Sequence, residues 1–434
     1  MTKYSGAAAK PLLPVTIPHG NIRYAPGMRA GRWVFATGHK GTRDYISGMS
    51  AAVLRPKLPQ WDKSKRRREA EQIFRNVGAV LKAGGSGLRN VVRVDQNYTT
   101  HQAVEPYHDA RHAILKHHIP PSTSTLAQRF LLAGQEIEVH MIGIVPRGSF
   151  HPQHIRPQGH AVHPTSGYSL ALAAEDYVFV AGRMADSLTF GEGLAPEARM
   201  LAGHLWKGTP VKLEAEFILR RKIEPALNAA GSSLKNIVKC QVYLRDPEDF
   251  APFNEVWSKY FPRAKPATTL IPTATPGFFL SDARLEINTI ALRDTGKARK
   301  EIISAGVTPS FAGYSEAVRA GDLLFISGML AIDRNGLVEA ARPDPGQPYF
   351  GSSIQAQMNC LLTNAHNICR AAGTSLANVV RIQQYHTDLR EFYPAYQVWE
   401  RFLPDRHLPF SAVEVPFLPV PGCTVQLELW VYAP

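Results

Sequence analysis

Cysteine is scarce and unsuited to a disulfide frame. The 434 residues hold four (Cys240, Cys360, Cys369 and Cys423) with no C-x-x-C spacing. They read as reduced thiols, and a cytoplasmic location is the expectation. No apolar run reaches the roughly 18 residues that a spanning helix needs, so no membrane partner is expected. The N-terminal stretch "MTKYSGAAAKPLLPVTIP" lacks a continuous apolar segment and does not read as a signal peptide. Acidic residues are in deficit, 36 against 49 Lys and Arg, and the formal charge is +13. That excess calls for an anionic partner to be weighed. Its sharpest cluster, "KSKRRR" at 63–68, carries no interleaved aromatics on which bases could stack. It reads as the solvated start of a helix, and nucleic acid is not an expected partner. Positive charge at a helix start opposes the helix dipole, and nothing in the sequence explains why it is tolerated there.

What the chain does have is internal repetition. "IRYAPGMRAGRWVFATG" (22–38), "SGYSLALAAEDYVFVAG" (166–182) and "AGYSEAVRAGDLLFISG" (312–328) align without gaps, each with Tyr third and Gly last. A second set, "KAGGSGLRNVVRVDQNYTT", "NAAGSSLKNIVKCQVYLRD" and "RAAGTSLANVVRIQQYHTD", aligns through Gly85, Gly231 and Gly373. A third set closes each unit: "EIEVHMIGIV", "RLEINTIALR" and "VQLELWVYAP". One period of about 144 residues accounts for all three sets, so the repeat is domain-sized rather than a short solenoid motif.

Within a unit the periodicity switches in order. "GDLLFISG" suits a buried strand, and "SSIQAQMNCLLTNAHNICRAAG" an amphipathic helix capped by Ser and ended by Gly. "LANVVRIQQYHT" alternates as a strand. "LREFYPAYQVWERFLP" returns to helical spacing, and two alternating strands follow. The order is β(β)–α–β–α–β–β, with two helices covering one face of a mixed sheet. Gly38, Gly182 and Gly328 are expected where a side chain would crowd the backbone. Unpatterned stretches rich in Pro, His or charge separate the units, which gives domains at 1–147, 148–297 (with a linker at 148–164) and 298–434.

The Gly167-Tyr168 and Gly313-Tyr314 pairs, "FISG", "AAGTSLANVVRIQQYHTDL", "FSAVEV" and the closing strand resemble the Rid family. These are the reactive-intermediate deaminases, also called YjgF or L-PSP endoribonuclease-like proteins. The resemblance covers three tandem copies and is strongest in the third. It implies an α+β, chorismate-mutase-like fold, and members are typically homotrimers with clefts between subunits. Three copies in one chain therefore imply a monomeric intramolecular pseudotrimer that could associate further. It would have a central β-barrel-like core with helices outside. Covalent fusion frees the three clefts to differ, which identical subunits cannot do.

The resemblance also points to positions. Family deaminases hold a substrate carboxylate with an Arg just before the Ser-x-Val-Glu-Val strand, by a bidentate pair. Here that position holds Ser122, Thr268 and Phe410, which argues against classical 2-imino acid deamination. A Glu thought to position water on the last strand is matched to His140, Asn288 and Glu428. An Asn on the second helix is matched to His108, Asn254 and Tyr396. The cleft tyrosines are Tyr24, Tyr168 and Tyr314. Thr37 and Ser327 stand at a cleft Ser position where the second unit has Ala181. Glu414 lies on the neighbouring strand. The resulting expectation places Ser327 and Glu428 on one wall. Glu428 would activate water and a hydroxyl or the His108 imidazole would hold the oxyanion. Binding groups would come from Tyr24, Tyr168, Tyr314, Thr37, Asn254, Asn288, His140, Glu414 and Phe410.

His151, His154, His160 and His163 form HxxH-x5-HxxH in the first linker, but Pro152, Pro157 and Pro164 break any helix that would align them. No metal and no cofactor is expected. The favoured reading is a metal-independent hydrolase or deaminase of a C–N bond in a small imine, enamine or amide. The alternatives are a non-catalytic metabolite-binding protein and an RNA-directed protein.

Overall fold

The computed structural model describes residues 9–58, 62–148, 150–160, 162, 166–189, 191–201, 203–204, 206–307 and 313–434. His163 therefore lies outside the described residues. Three mixed sheets follow one another along the chain, each with the same strand order. In the first, Lys10–Leu12 pairs with Gly27–Ala30, then Trp33–His39, Ile137–Ile144, Val91–Tyr98 and Ser122–Leu126. The second runs Gln153–Ile155, Ala171–Ala174, Tyr177–Arg183, Leu285–Leu292, Ile237–Leu244, Ala267–Pro272. The third runs Lys300–Ile303, Ala317–Ala320, Leu323–Ile326, Val425–Tyr432, Val379–His386, Phe410–Glu414. The last two strands of each order are parallel and joined through a helix, as a parallel pair must be. One edge strand precedes the pair read from the sequence.

Alternation decides which face each strand residue serves. Along Leu285–Leu292, Leu285, Ile287 and Ala291 pack under the helices of their own repeat. Ile290 and Leu292 point the other way, into a cluster shared by all three sheets. Trp33, Phe35 and Ile142 of the first sheet meet Leu172 and Phe179 of the second and Phe325 and Trp430 of the third there. The helices thus lie outside and the inner sheet faces pack on one another. The expected barrel-like core is not a hydrogen-bonded barrel. Repeats meet through single bonds such as Ala274 N to Leu126 O (3.0 Å) and Gly328 N to Thr268 O (3.1 Å). Among the described residues the one strand shared between repeats is Arg129–Phe130, which pairs with the edge of the third sheet. Side chains, not a continuous ladder, close the centre.

Helix Lys65–Ala83 carries the basic run, and its tolerance now has a cause. Ser64 accepts from Arg67 N, capping the first turn. Lys63 and Arg67 pair with Glu71, Lys65 and Arg66 with Glu136, and Arg68 with Asp62. Local carboxylates neutralise the cluster, and no bare cationic stripe remains along it. In the third repeat, Ser352 holds the cap position without a side-chain bond. Ser353 Oγ instead donates to Ala341 O (2.6 Å). The aligned Gly85, Gly231 and Gly373 have φ of +77°, +71° and +71° just after their helices, the left-handed turn that ends a helix.

Candidate active site between the first and second repeats

A cavity of about 650 Å³ opens where the first repeat meets the second. The first repeat lines it with His101, Val104, Glu105 and His108, at the start of helix Val104–Leu115, and with Ser122 and Ser124 from the following strand. The second repeat supplies Tyr168, Gly182, Met184, Asp186 and Glu286, with Phe279 and Leu280 at one side.

Glu286 is the central chemical group. It sits on the inner face of its strand, one step outward from Asn288 and two from the apolar Ile290. It is 5 % exposed and makes no hydrogen bond to the described residues. Burial pushes its carboxyl up to about 8, against the attraction of Arg183. Its Oε1 rests against the backbone of Gly182: a Cβ added there would lie 1.8 Å away. Gly182 sits where the strand register shifts between Val180 and Arg183, and its backbone conformation is open to any residue. Its absent side chain therefore has a purely spatial role. Gly182→Ala is expected to displace the carboxyl, and the reaction proposed below for this cavity should slow by about 10²-fold, the cost of a misplacement near 1 Å. Unfolding midpoints together with turnover check this.

Positive charge reaches the cavity from two directions. Arg183 is buried and its Nη1 donates to the Tyr168 hydroxyl (3.4 Å). Arg111, on the outer helix of the first repeat, is fully buried over the Tyr107 ring. Its Nη1 donates to Ser122 Oγ (3.2 Å) and its Nη2 to Ser166 O. No carboxylate lies within ion-pair distance of Arg111 among the described residues, and its Nε has no partner. Ser122, Thr268 and Phe410 do share one register position, opposite Val94, Cys240 and Ile382. At that position in the first repeat, a guanidinium arrives from the neighbouring helix instead of from the strand. A stretch of π-helix, Ile218–Ile223, presents Lys222 Nζ to Asp186 Oδ2 (3.2 Å) behind the cavity wall.

Of the residues singled out from the sequence, His108, Ser122, Tyr168 and Gly182 reach this cavity. The others are distributed elsewhere. Glu428 is 0 % exposed and is paired with Lys239 Nζ (2.9 Å) of the second repeat. Its carboxylate also accepts from Gln241 Nε2 (3.0 Å) and Trp430 Nε1 (3.1 Å). Asn288 sits in the same layer, donating to Thr123 Oγ1 (3.0 Å) and Gln241 Oε1 (3.2 Å). His140 accepts from Gly38 N through Nδ1 (3.0 Å). Each closing strand in fact shows three depths on its inner face. Glu138, Glu286 and Gln426 lie outermost. His140, Asn288 and Glu428 come next, and Ile142, Ile290 and Trp430 are deepest. Placing Glu428 on a cleft wall chose the middle layer.

Ser327 directly follows the strand next to that of Glu428, but its hydroxyl makes no bond to that carboxylate. Its hydroxyl donates to Ser315 O (2.6 Å) and accepts from Thr268 N (2.9 Å), which ties the second and third repeats together. Thr269 Cγ2 would lie 2.7 Å from a Cβ at Gly328, so the two repeats are in direct contact there. Tyr314 is buried beneath Lys265 (5.8 Å) at the same junction. Asn254 is partly buried on helix Phe250–Tyr260 and lines none of these surfaces. Glu414 accepts from Leu389 N (3.0 Å) and faces Arg129. Between the third and first repeats, Phe410 packs against Tyr24 (5.0 Å) and Phe392 (5.1 Å) and lines the cleft with them. The Tyr24 hydroxyl donates to the carbonyl of buried Thr37 (2.5 Å).

The sequence reading missed Glu286, Arg183 and Arg111. For Glu286 the signal existed in "RLEINTIALR", but period-two alternation puts Glu286 and Asn288 on one face without saying which lies nearer the cleft. Among the described residues, no three His, Cys, Asp or Glu converge to hold a metal. In the linker, His154 bonds His118 (2.9 Å).

The family model described as Endoribonuclease L-PSP matches residues 158–293 and, a second time, 306–433. The chain belongs to this family. Residues before 158 fall outside both matched segments, although the first sheet repeats the strand order of the other two. A RutC family protein of Pyrococcus horikoshii is 32% identical over 134 residues, 31% of this chain and 93% of that protein. The chloroplastic Reactive Intermediate Deaminase A of Arabidopsis thaliana is 28% identical over 131 residues, 30% of this chain and 64% of that protein. The crystal structure of RidA from a Psychrobacter species is 30% identical, covers 30% of this chain and 98% of its own, and superposes with a TM-score of 0.26. No helix among the described residues is long and apolar enough to cross a membrane.

Proposed function

We propose that the chain is a monomeric pseudotrimer that hydrolyses the C=N bond of a small anionic imine or enamine in the cavity between its first and second repeats. The observation that carries this reading is Glu286, a buried carboxyl with no hydrogen-bond partner among the described residues, lining the cavity, its pKa pushed up to about 8 by burial. Such a group holds its proton at physiological pH yet can release it, the property a general acid and base needs. A protonated Glu286 delivers its proton to the imine nitrogen. Water then adds to the carbon while the carboxylate takes a proton from it. Glu286 then protonates the carbinolamine nitrogen, the C–N bond breaks as the C=O forms, and the hydroxyl proton passes to the carboxylate, which ends protonated as it began. The products are a carbonyl compound and ammonia or an amine. Ser122 with Arg111 behind it, and Arg183 beside Tyr168, supply the field that attracts the substrate anion. His108 lies close enough to the cavity to hydrogen-bond the developing oxyanion.

The reading is tested by generating imines in solution with an amino acid oxidase and following release of ammonia. Turnover above the spontaneous rate supports it, and none at any imine tried removes it. The expected pH profile follows from Glu286: with its pKa at about 8, the protonated acid is lost as pH rises through that value. Turnover should fall on the alkaline side, and Glu286→Gln should show no such limb.

A further inference from the structure

The cleft between the third and first repeats keeps a separate cavity of about 240 Å³. Its walls are Tyr24, Tyr45, Leu131, Leu132, Phe392 and Phe410, with Ile17, Ile22 and Ile46 toward the mouth. Among the described residues one charged side chain lines it, Lys40. We propose that this cavity is a second ligand site, in which the Lys40 amine captures an aldehyde with an aromatic or short alkyl body as a reversible Schiff base.

The triplication supplies an internal control. Gly38-His39-Lys40 corresponds to Gly182-Arg183-Met184 and Gly328-Met329-Leu330. The other two repeats fill the position with an apolar side chain, so the fold does not require a lysine. Setting an amine among apolar groups is costly unless a partner compensates. Lys40 has no hydrogen bond or ion pair through Nζ to the described residues; Glu138 acts on it only at longer range. Burial lowers its pKa, which enlarges the nucleophilic neutral fraction.

The lining also selects between ligand types. His39 Nε2 donates to Pro26 O (2.9 Å), so its Nδ1 is the acceptor for the Tyr45 hydroxyl (2.8 Å). The Tyr24 hydroxyl is likewise committed, to Thr37 O. Beside the amine, only the Thr42 hydroxyl among the described lining groups could serve a second oxygen. A carboxylate brings two oxygens that each need partners, whereas a carbonyl carbon needs only the amine. The volume is suited to a ring with a short substituent, since a cavity of about 150 Å³ holds benzene. The step is balanced without a further reagent. The amine nitrogen bonds to the carbonyl carbon and the C=O π pair goes to oxygen. The carbinolamine then loses water, made of that oxygen and the two amine hydrogens, and leaves C=N.

Intact chain treated with benzaldehyde and cyanoborohydride, then mapped by peptide mass, tests this without using the larger cavity or any imine assay. Lys40 is expected to be reductively alkylated at least about tenfold faster than exposed lysines such as Lys57 and Lys207. Excess toluene, which fills the cavity but has no carbonyl, should protect Lys40 and leave the exposed lysines unchanged. Lys40→Met, which copies the second repeat, should remove the fast phase. Labelling of Lys40 no faster than the exposed lysines, or labelling that toluene does not slow, overturns the proposal.

Discussion

Glu286→Gln is expected to reduce imine turnover by about 10²–10⁴-fold, the range for a lost general acid or base, while the fold is kept or strengthened. The two effects share one cause. Glutamine matches the carboxyl in size and fills the same place against Gly182 but cannot exchange a proton at neutral pH. The stability sign follows from linkage. In the folded chain burial pushes the Glu286 carboxyl up to about 8, above the ordinary glutamate value of 4.5. Between those values the folded state binds more protons than the unfolded state, so this residue's contribution to stability falls as pH rises. The variant removes that contribution. Glu69 and Glu214, each pushed by burial to about 7, leave a residual slope of the same sign. The informative quantity is therefore the difference between wild type and variant in denaturant midpoint from pH 5 to 9. It should grow in the variant's favour toward pH 9. Loss of turnover with no such gain would mean that Glu286 acts as an ordinary ionised carboxylate.

Glu428→Gln is expected to act in the opposite way, destabilising the chain by about 3–5 kcal/mol, the cost of leaving one member of a buried ion pair uncompensated. Aligned positions of the three repeats hold Arg93, Lys239 and Arg381, all buried and each bonded to a residue of another repeat. Two carboxylates answer them. Asp95 takes Arg93 (2.9 Å) and Arg381 (2.7 Å), and Glu428 takes Lys239 (2.9 Å). Burial pushes Glu428 up, but Lys239 and Arg381 outweigh it and hold the carboxyl below its usual range. Its contribution is therefore present above the ordinary carboxylate pKa and lost as pH falls through the lowered one. The glutamine variant leaves Lys239 facing an amide in a dry interior. Adding Lys239→Met removes the stranded ammonium and should recover part of the loss. A double-mutant cycle by chemical denaturation measures the coupling. A Glu428→Gln protein as stable as wild type would show that the buried Lys239–Glu428 pair is energetically idle.

The contrast between these two glutamates shows how far the sequence could be read. Repeat architecture, element order and the register of Ser122, Thr268 and Phe410 were legible because each rests on local spacing. So was the crowding at Gly182. The site was less legible. Glu286 and Glu428 both sit on the inner faces of alternating closing strands, and alternation fixes a face but not a depth. Depth depends on how three sheets pack, which no local window contains. Arg111 was hidden for a related reason. It lies on a helix whose buried side the sequence marks as apolar packing, and only the packed structure brings its guanidinium to Ser122. The asymmetry of the clefts follows directly from side chains. Phe410 narrows one to a smaller cavity, Ser327 and Thr268 join the repeats across another, and small Ser122 and Ser124 leave the first open.

The most direct test of the central claim is a crystal structure of the chain soaked with a 2-oxo acid, the carbonyl product of imino acid hydrolysis. Density between Glu286, Tyr168 and Ser122, with the carboxylate turned toward Arg111 or Arg183, is the predicted result. Density instead at the junction of Ser327 and Thr268, with the first cavity empty, would contradict it and return the chemistry to the third repeat.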